Sequence, residues 1–175
     1  IFIGFLISAM YMTNAFDGPI YLLLALFILL TIFGISYKFF IGTGTILLST
    51  YIFSLPFTSN FNAFIKGIGI NCPSQFLSNI KKFGPFIFEA GNCQPTPLWM
   101  FFVLWGFFLI SFVVFIFIKL RTKIRNKSDD FVLLLMLIST IFILIPEFFY
   151  VKDIYPAHFR ANTMFKLGYQ VFIMM

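Results

Sequence analysis

The chain has 175 residues, of which 61% are hydrophobic and 10% charged, with a mean hydropathy of +1.00 and a formal net charge of +6. A soluble domain carries about 45–50% apolar and about 25% charged residues, so this composition excludes a soluble domain and defines an integral membrane protein. The positive charge does not point to nucleic acid, because the basic residues cluster beside hydrophobic segments rather than along one polar face.

The first apolar run, 1–13, is too short to span a bilayer alone, which takes roughly 20 residues. Asn14 to Pro19 breaks it with an Asp17-Gly18 turn signal, and Pro19 suits the first turn of the next helix. Further spans are expected at 19–37 and 39–57, the latter ended by Pro56. The stretch 58–97 is the one long segment rich in Asn, Ser, Gly and Pro. Within it, the spacing of Phe76, Leu77, Ile80 and Phe83 predicts a short helix over Gln75–Phe83 lying in the interface, with Lys81 and Lys82 towards its other face. Leu98 to Ile118 carries no charge and is the clearest span. Spans at 131–147 and 165–175 complete an all-α, polytopic transmembrane bundle of about six full or partial spans, read as a single membrane domain. The apolar runs that open and close the chain mark it as a piece of a longer protein, whose remaining helices are its expected partners together with membrane lipids.

Lys119, Arg121, Lys123, Arg125 and Lys127 crowd one short loop. The positive-inside rule places 119–130 in the cytoplasm. Alternation then puts 14–19, 58–97 and 147–166 on the extracytoplasmic side of the cell membrane. Cys72 and Cys93 both fall in the outer stretch, where the environment permits a disulfide. Such a bridge is favoured over two free thiols and stabilises by about 3 kcal/mol. One His and two Cys fall short of the four ligands of a zinc site. Asn126-Lys127-Ser128 matches a glycosylation pattern but lies on the cytoplasmic side.

Chemistry concentrates between Pro146 and Gln170, where Glu147, Lys152, Asp153, Arg160 and Lys166 sit between two apolar segments. Charge at a membrane boundary is costly and is by default a functional-site hypothesis. Arg160 and Lys166 suit an anion at headgroup level, the first by a two-pronged contact and the second as a point charge. Asn162 and Tyr150 add neutral donors. A carboxylate among the group can act as general base or hold a divalent ion. The plainer readings are that Lys and Arg snorkel, that Lys152 and Asp153 merely pair, and that Tyr150 and Tyr155 are interfacial aromatics. Lone His158 reads as an interfacial side chain. Asn14 with Asp17 reads equally as a helix-capping turn.

Three stretches together resemble a known family: Tyr11-Met-Thr-Asn14-Ala-Phe-Asp17-Gly-Pro19-Ile-Tyr21; Thr96-Pro97-Leu98-Trp99 with Val103-Leu-Trp105-Gly106; and Glu147-Phe-Phe-Tyr150-Val-Lys152-Asp153 followed by Arg160-Ala-Asn162-Thr163-Met-Phe165-Lys166. They resemble the YYY membrane proteins, an uncharacterised polytopic family similar to the protein O-mannosyltransferase-like glycosyltransferases of GT-C fold. The resemblance implies transfer of a sugar from a polyprenyl-phosphate donor on the outer face. It implies Arg160 and Lys166 at the carrier phosphate, and Lys152, Tyr150, Asn162 and Asn14 are read as substrate-binding candidates beside them. Asp17, Glu147 and Asp153 become the candidate acids, bases or metal-holding groups. It also implies that the catalytic acid of the first outer loop lies upstream, so that these residues form its supporting wall. The alternatives are a transporter or flippase of a lipid-linked or anionic substrate, and a non-catalytic membrane scaffold. Transport calls for charges deep in the spans, and none falls within Leu98–Ile118 or Phe131–Ile145.

Overall fold

The computed structural model describes residues 1–61, 65–122, 126–152 and 157–175, and its chain divides into two compact units, Ile1–Asn62 and Ala63–Met175. The first unit holds α1 (Phe2–Thr13), α2 (Asp17–Phe33) and α3 (Tyr37–Thr58). Small residues bring α1 and α3 together: a Cβ on Gly4 would strike the Ser49 side chain, and Thr50 Oγ1 donates to the Gly4 carbonyl at 3.3 Å. Close backbone approach of this kind is how helices pack where lipid removes the hydrophobic drive. Pro56 does not end α3, which runs two residues further to Thr58. A proline is tolerated within a spanning helix, and the backbone bonding continues past it, the Ser59 N–H donating to the Leu55 carbonyl at 3.0 Å.

The second unit contains β1 (Gly67–Ile70), α4 (Gln75–Ile80), β2 (Lys82–Phe83), β3 (Phe86–Ile87), α5 (Leu98–Thr122), α6 (Lys127–Phe148), β4 (Phe149–Lys152) and α7 (Ala161–Met174). Helices α3, α5 and α6 have 22, 25 and 22 residues and are long and apolar enough to cross a membrane. At 1.5 Å per residue they extend about 33–37 Å, against a hydrocarbon core of about 30 Å. Helix α5 buries only Gly106, leaving its remaining apolar surface for lipid. Helix α6 starts in Lys-Ser-Asp-Asp, four residues ahead of its apolar stretch. The acids of that first turn complement the positive end of the helix, and Asp129 accepts the Asn126 N–H at 3.1 Å and pairs with Lys119 at 2.7 Å.

Beyond the spans lies a small polar lobe built on a four-stranded sheet in the order β2-β3-β1-β4. Sequence patterning had predicted no strand here. Strand β4 begins at the residue after α6 ends, so the sheet is carried directly on that helix. It pairs antiparallel with β1, Gly69 opposite Tyr150 and Gly67 opposite Lys152. The helix expected over Gln75–Phe83 stops at Ile80. Lys81, at φ 62°, reverses the chain, and Lys82–Phe83 joins the sheet instead. The disulfide Cys72–Cys93 closes the lobe, and beside it the Cys72 N–H donates to the Asn92 carbonyl at 2.8 Å.

Tyr150, 1% exposed, is the largest fully buried side chain of the lobe. Its ring lies where a Cβ on Gly69 would be, and it packs against Phe159 with the rings tilted by 55° and 4.6 Å between centroids. Gly69→Ala is therefore expected to displace the ring and to destabilise the lobe by about 1–3 kcal/mol, as overpacking does; thermal unfolding in detergent measures it.

Candidate functional site

Two charged clusters organise the second unit. The first surrounds Glu147, on the last turn of α6. Its Oε1 accepts from Arg160 Nη2 at 2.6 Å and from Thr96 Oγ1 at 2.7 Å, and its Oε2 accepts the Thr96 N–H at 3.1 Å. Arg160 also donates to Thr96 Oγ1 at 3.2 Å. One carboxylate thus joins the end of α6, the turn into α5 and the start of α7. Asn71 reinforces the junction, donating from Nδ2 to the Glu147 carbonyl at 2.9 Å and accepting the Gln94 N–H at 3.0 Å. From the other side, the Val151 N–H donates to Thr163 Oγ1 at 2.9 Å and ties α7 to β4.

Arg160 is 4% exposed and its guanidinium is turned to Glu147 and Thr96. Its bonds to both are made by Nη2, which clamps the junction from inside, while the buried Nε has no hydrogen-bond partner among the described residues. Glu147 is likewise committed to holding Arg160. Lys166, partly buried on α7, has no ion-pair partner among the described residues. Asn162 and His158 line a separate small hollow at the start of α7 with Ala161 and Phe165. Asp153 and Tyr155 lie outside the described residues. Asn14 and Asp17 belong to the first unit, where Asn14 Nδ2 donates to Asp17 Oδ1 at 3.0 Å and Asn14 Oδ1 accepts the Phe16 N–H at 3.3 Å, an Asx-type turn ahead of α2, whose N-cap Phe16 carries no side-chain cap bond.

The second cluster was not legible as a site. Lys152 forms an ion pair with Glu89, contacting both carboxylate oxygens. Asn92 Nδ2 donates to Glu89 Oε2 and to the Tyr150 hydroxyl, each at 2.7 Å. Tyr150 and Lys152 are two apart on β4 and so share a face of the strand, which is how both reach Glu89. The cluster opens onto a cleft of about 580 Å³ lined by Ser78, Lys81, Ile87, Glu89, Asn92 and Lys152, among others. That volume lies within the usual range for small-molecule sites, about 300–1,000 Å³. Of the site residues expected from sequence, the structure brings Lys152 to this cleft, while Tyr150 lies buried behind it and reaches Glu89 and Asn92 through its hydroxyl. The structure adds Glu89, an isolated acid in a long loop with no pattern around it to mark it. Among the described residues no three His, Cys, Asp or Glu side chains gather as a metal site, and Glu147 and Glu89 each hold a cation already.

Apolar spanning helices carrying a polar, disulfide-closed lobe define an integral membrane protein. The chain belongs to the family described as Uncharacterized membrane protein (DUF2298), which it matches over residues 1–128 and 113–175. No curated protein and no solved structure matches it.

Glu147→Ala strands a buried guanidinium and is expected to cost about 3 kcal/mol or more. Arg160→Met leaves Glu147 its Thr96 bonds and costs less, and the double variant falls well short of the sum, since residues in one network do not act independently. A double-mutant cycle by denaturant unfolding in detergent reads all three. A second expectation concerns alkali. Burial pushes the Tyr150 phenol above its ordinary value of 10; the Asn92 amide opposes this and the Glu89 carboxylate adds to it. A phenol with a raised value contributes stability that is complete below pH 10 and is lost as pH climbs through the raised value. The unfolding temperature should therefore fall more steeply above pH 10 in the wild type than in Tyr150→Phe.

Proposed function

We propose that the chain forms part of a membrane glycosyltransferase that takes a sugar from a polyprenyl-phosphate carrier at the extracytoplasmic face of the cell membrane. The observation that carries this reading is the cleft around Glu89 and Lys152, mounted through β4 on the end of a spanning helix. Helices α5 and α6 run antiparallel in sequence order, so Lys119, Arg121 and Lys127 lie at the end of the pair away from the lobe. By the positive-inside rule those residues face the cytoplasm and the lobe faces outward. The disulfide is compatible with that side. The sequence motifs that resemble the YYY membrane proteins, a family similar to the GT-C glycosyltransferases, agree with this placement.

In this reading the lobe receives the acceptor. Glu89 takes the proton of the acceptor hydroxyl as its oxygen bonds to the sugar's anomeric carbon. The bond from that carbon to the carrier phosphate breaks, and polyprenyl phosphate leaves with the electron pair. Lys152 holds the Glu89 carboxylate in place. Lys166 on α7 offers a positive charge to the carrier phosphate, which in this reading it contacts without Arg160. The Glu147–Arg160 pair fixes the start of α7 and so positions Lys166.

Sugar transfer by the full-length protein in membranes, from labelled polyprenyl-phosphate sugars, tests the reading. Loss of a general base lowers turnover by about 10²–10⁴-fold, and Glu89→Gln is expected within that range. Lys166→Ala should raise the apparent KM for the donor more than it lowers kcat. Absence of transfer with every donor, from protein that inserts and accumulates normally, would favour a transporter or scaffold.

A further inference from the structure

The cleft carries a feature that transfer alone does not call for. Lys81 sits at the C-cap of α4 with φ 62° and ψ −47°. Left-handed φ is uncommon for any residue with a Cβ, and this pair of angles lies close to the strained classic γ-turn. Such strain costs of order 1–3 kcal/mol and persists where the surroundings over-determine it, often at ligand sites. Glycine or asparagine is the ordinary choice at a helix C-terminus that turns this way. The chain places lysine there, holds its carbonyl with the Phe88 N–H at 2.9 Å, and sets it on the wall of the cleft.

The charges on that wall are unequal. Lys152 is neutralised by Glu89, whereas Lys81 has no ion-pair partner among the described residues. The cleft therefore has one positive charge to spare. It also presents Glu89, which only accepts hydrogen bonds, and Ser78 and Asn92, which donate and accept. A bare phosphate diester fits poorly, because it brings no hydrogen-bond donor to Glu89, which only accepts. A neutral sugar satisfies the polar wall but leaves Lys81 without a partner.

We infer that the cleft binds a saccharide or other hydroxyl-rich body bearing one negative charge, with Lys81 contacting the anionic group and Glu89, Asn92 and Ser78 the hydroxyls. The inference rests on the cleft being the acceptor side of the transfer site, and it adds the class of acceptor. Such a group has two sources, a soluble sugar acid or a hydroxyl-rich anionic lipid headgroup.

Calorimetric titration of the full-length protein in phosphatidylcholine nanodiscs, with glucuronate and with glucose and no donor present, tests it. Glucuronate is expected to bind about tenfold tighter than glucose, the size of one charge-assisted contact. Lys81→Gly relieves the backbone and removes the charge. It should unfold at the wild-type temperature or above it and lose the preference, while Lys81→Arg keeps it. Phosphatidylinositol added to the discs weakens glucuronate binding if the natural source is a headgroup and leaves it unchanged if the source is soluble; either result supports the shared chemistry. Equal affinity for the two sugars, binding of neither, or a wild-type preference in Lys81→Gly overturns the inference. Glucuronate binding without transfer from any donor would sink the glycosyltransferase reading and leave this site standing. Transfer to neutral acceptors without glucuronate binding would do the reverse.

Discussion

The second unit depends on one carboxylate. Glu147 lies at the last turn of a helix made for lipid, where an unpaired charge is costly, and it is satisfied from two chain segments at once: Thr96 before α5 and Arg160 before α7. A buried ion pair of this kind is weak evidence for net stability, since desolvation offsets much of the attraction. What it fixes is geometry. The hydrogen bonds around Glu147 set where α5 begins, where α7 begins and, through Asn71, where the lobe returns to the helix end.

The sheet inherits its placement from that junction. Strand β4 follows α6 without a connecting loop, so the helix end aims the strand, and β1 then pairs with it in a register that puts Gly69 under the Tyr150 ring. Period-two alternation does the remaining work by turning Tyr150 and Lys152 to the same side. Short strands of two to four residues have little independent stability. Here the disulfide, the tilted Tyr150–Phe159 ring contact and the Glu89–Lys152 pair supply what the ladder lacks.

The spanning helices were legible because hydropathy is dense and continuous in them. Their ends were less so, since apolar composition marks what lipid covers and not where the backbone ladder stops. Helix α6 thus begins at Lys127, in a polar capping turn, ahead of the apolar run expected from 131, and α2 ends at Phe33, with φ turning positive at its C-cap Gly34, short of the expected 37. The lobe was hidden for a different reason. Its strands are too short for alternation to register, and their partners lie far apart in sequence: β1 pairs with a strand some 80 positions on. Glu89 gave no signal for the same reason, because its partners Tyr150 and Lys152 become neighbours only through that pairing. The charges at Glu147 and Arg160 were visible as a cluster, but whether they face each other or a ligand is decided by burial, which spacing does not show.

That distinction sorts the cations of the unit into two kinds. Arg160 is buried and engaged, and a planar, permanently charged fork is suited to such a fixed, multiply bonded post. The lysines sit nearer to water, at Lys81 and Lys152 on the cleft and at Lys166 on α7, where a flexible stem and a compact charge can follow a ligand as it enters and leaves. Of the three, only Lys152 meets a protein carboxylate among the described residues. A chain that merely anchored itself to headgroups by snorkelling would have no use for a lysine on a strained backbone at a cleft wall, where glycine would fold more readily. With the binding proposed for the cleft, the cost retained at Lys81 is the point at which stability and binding pull apart.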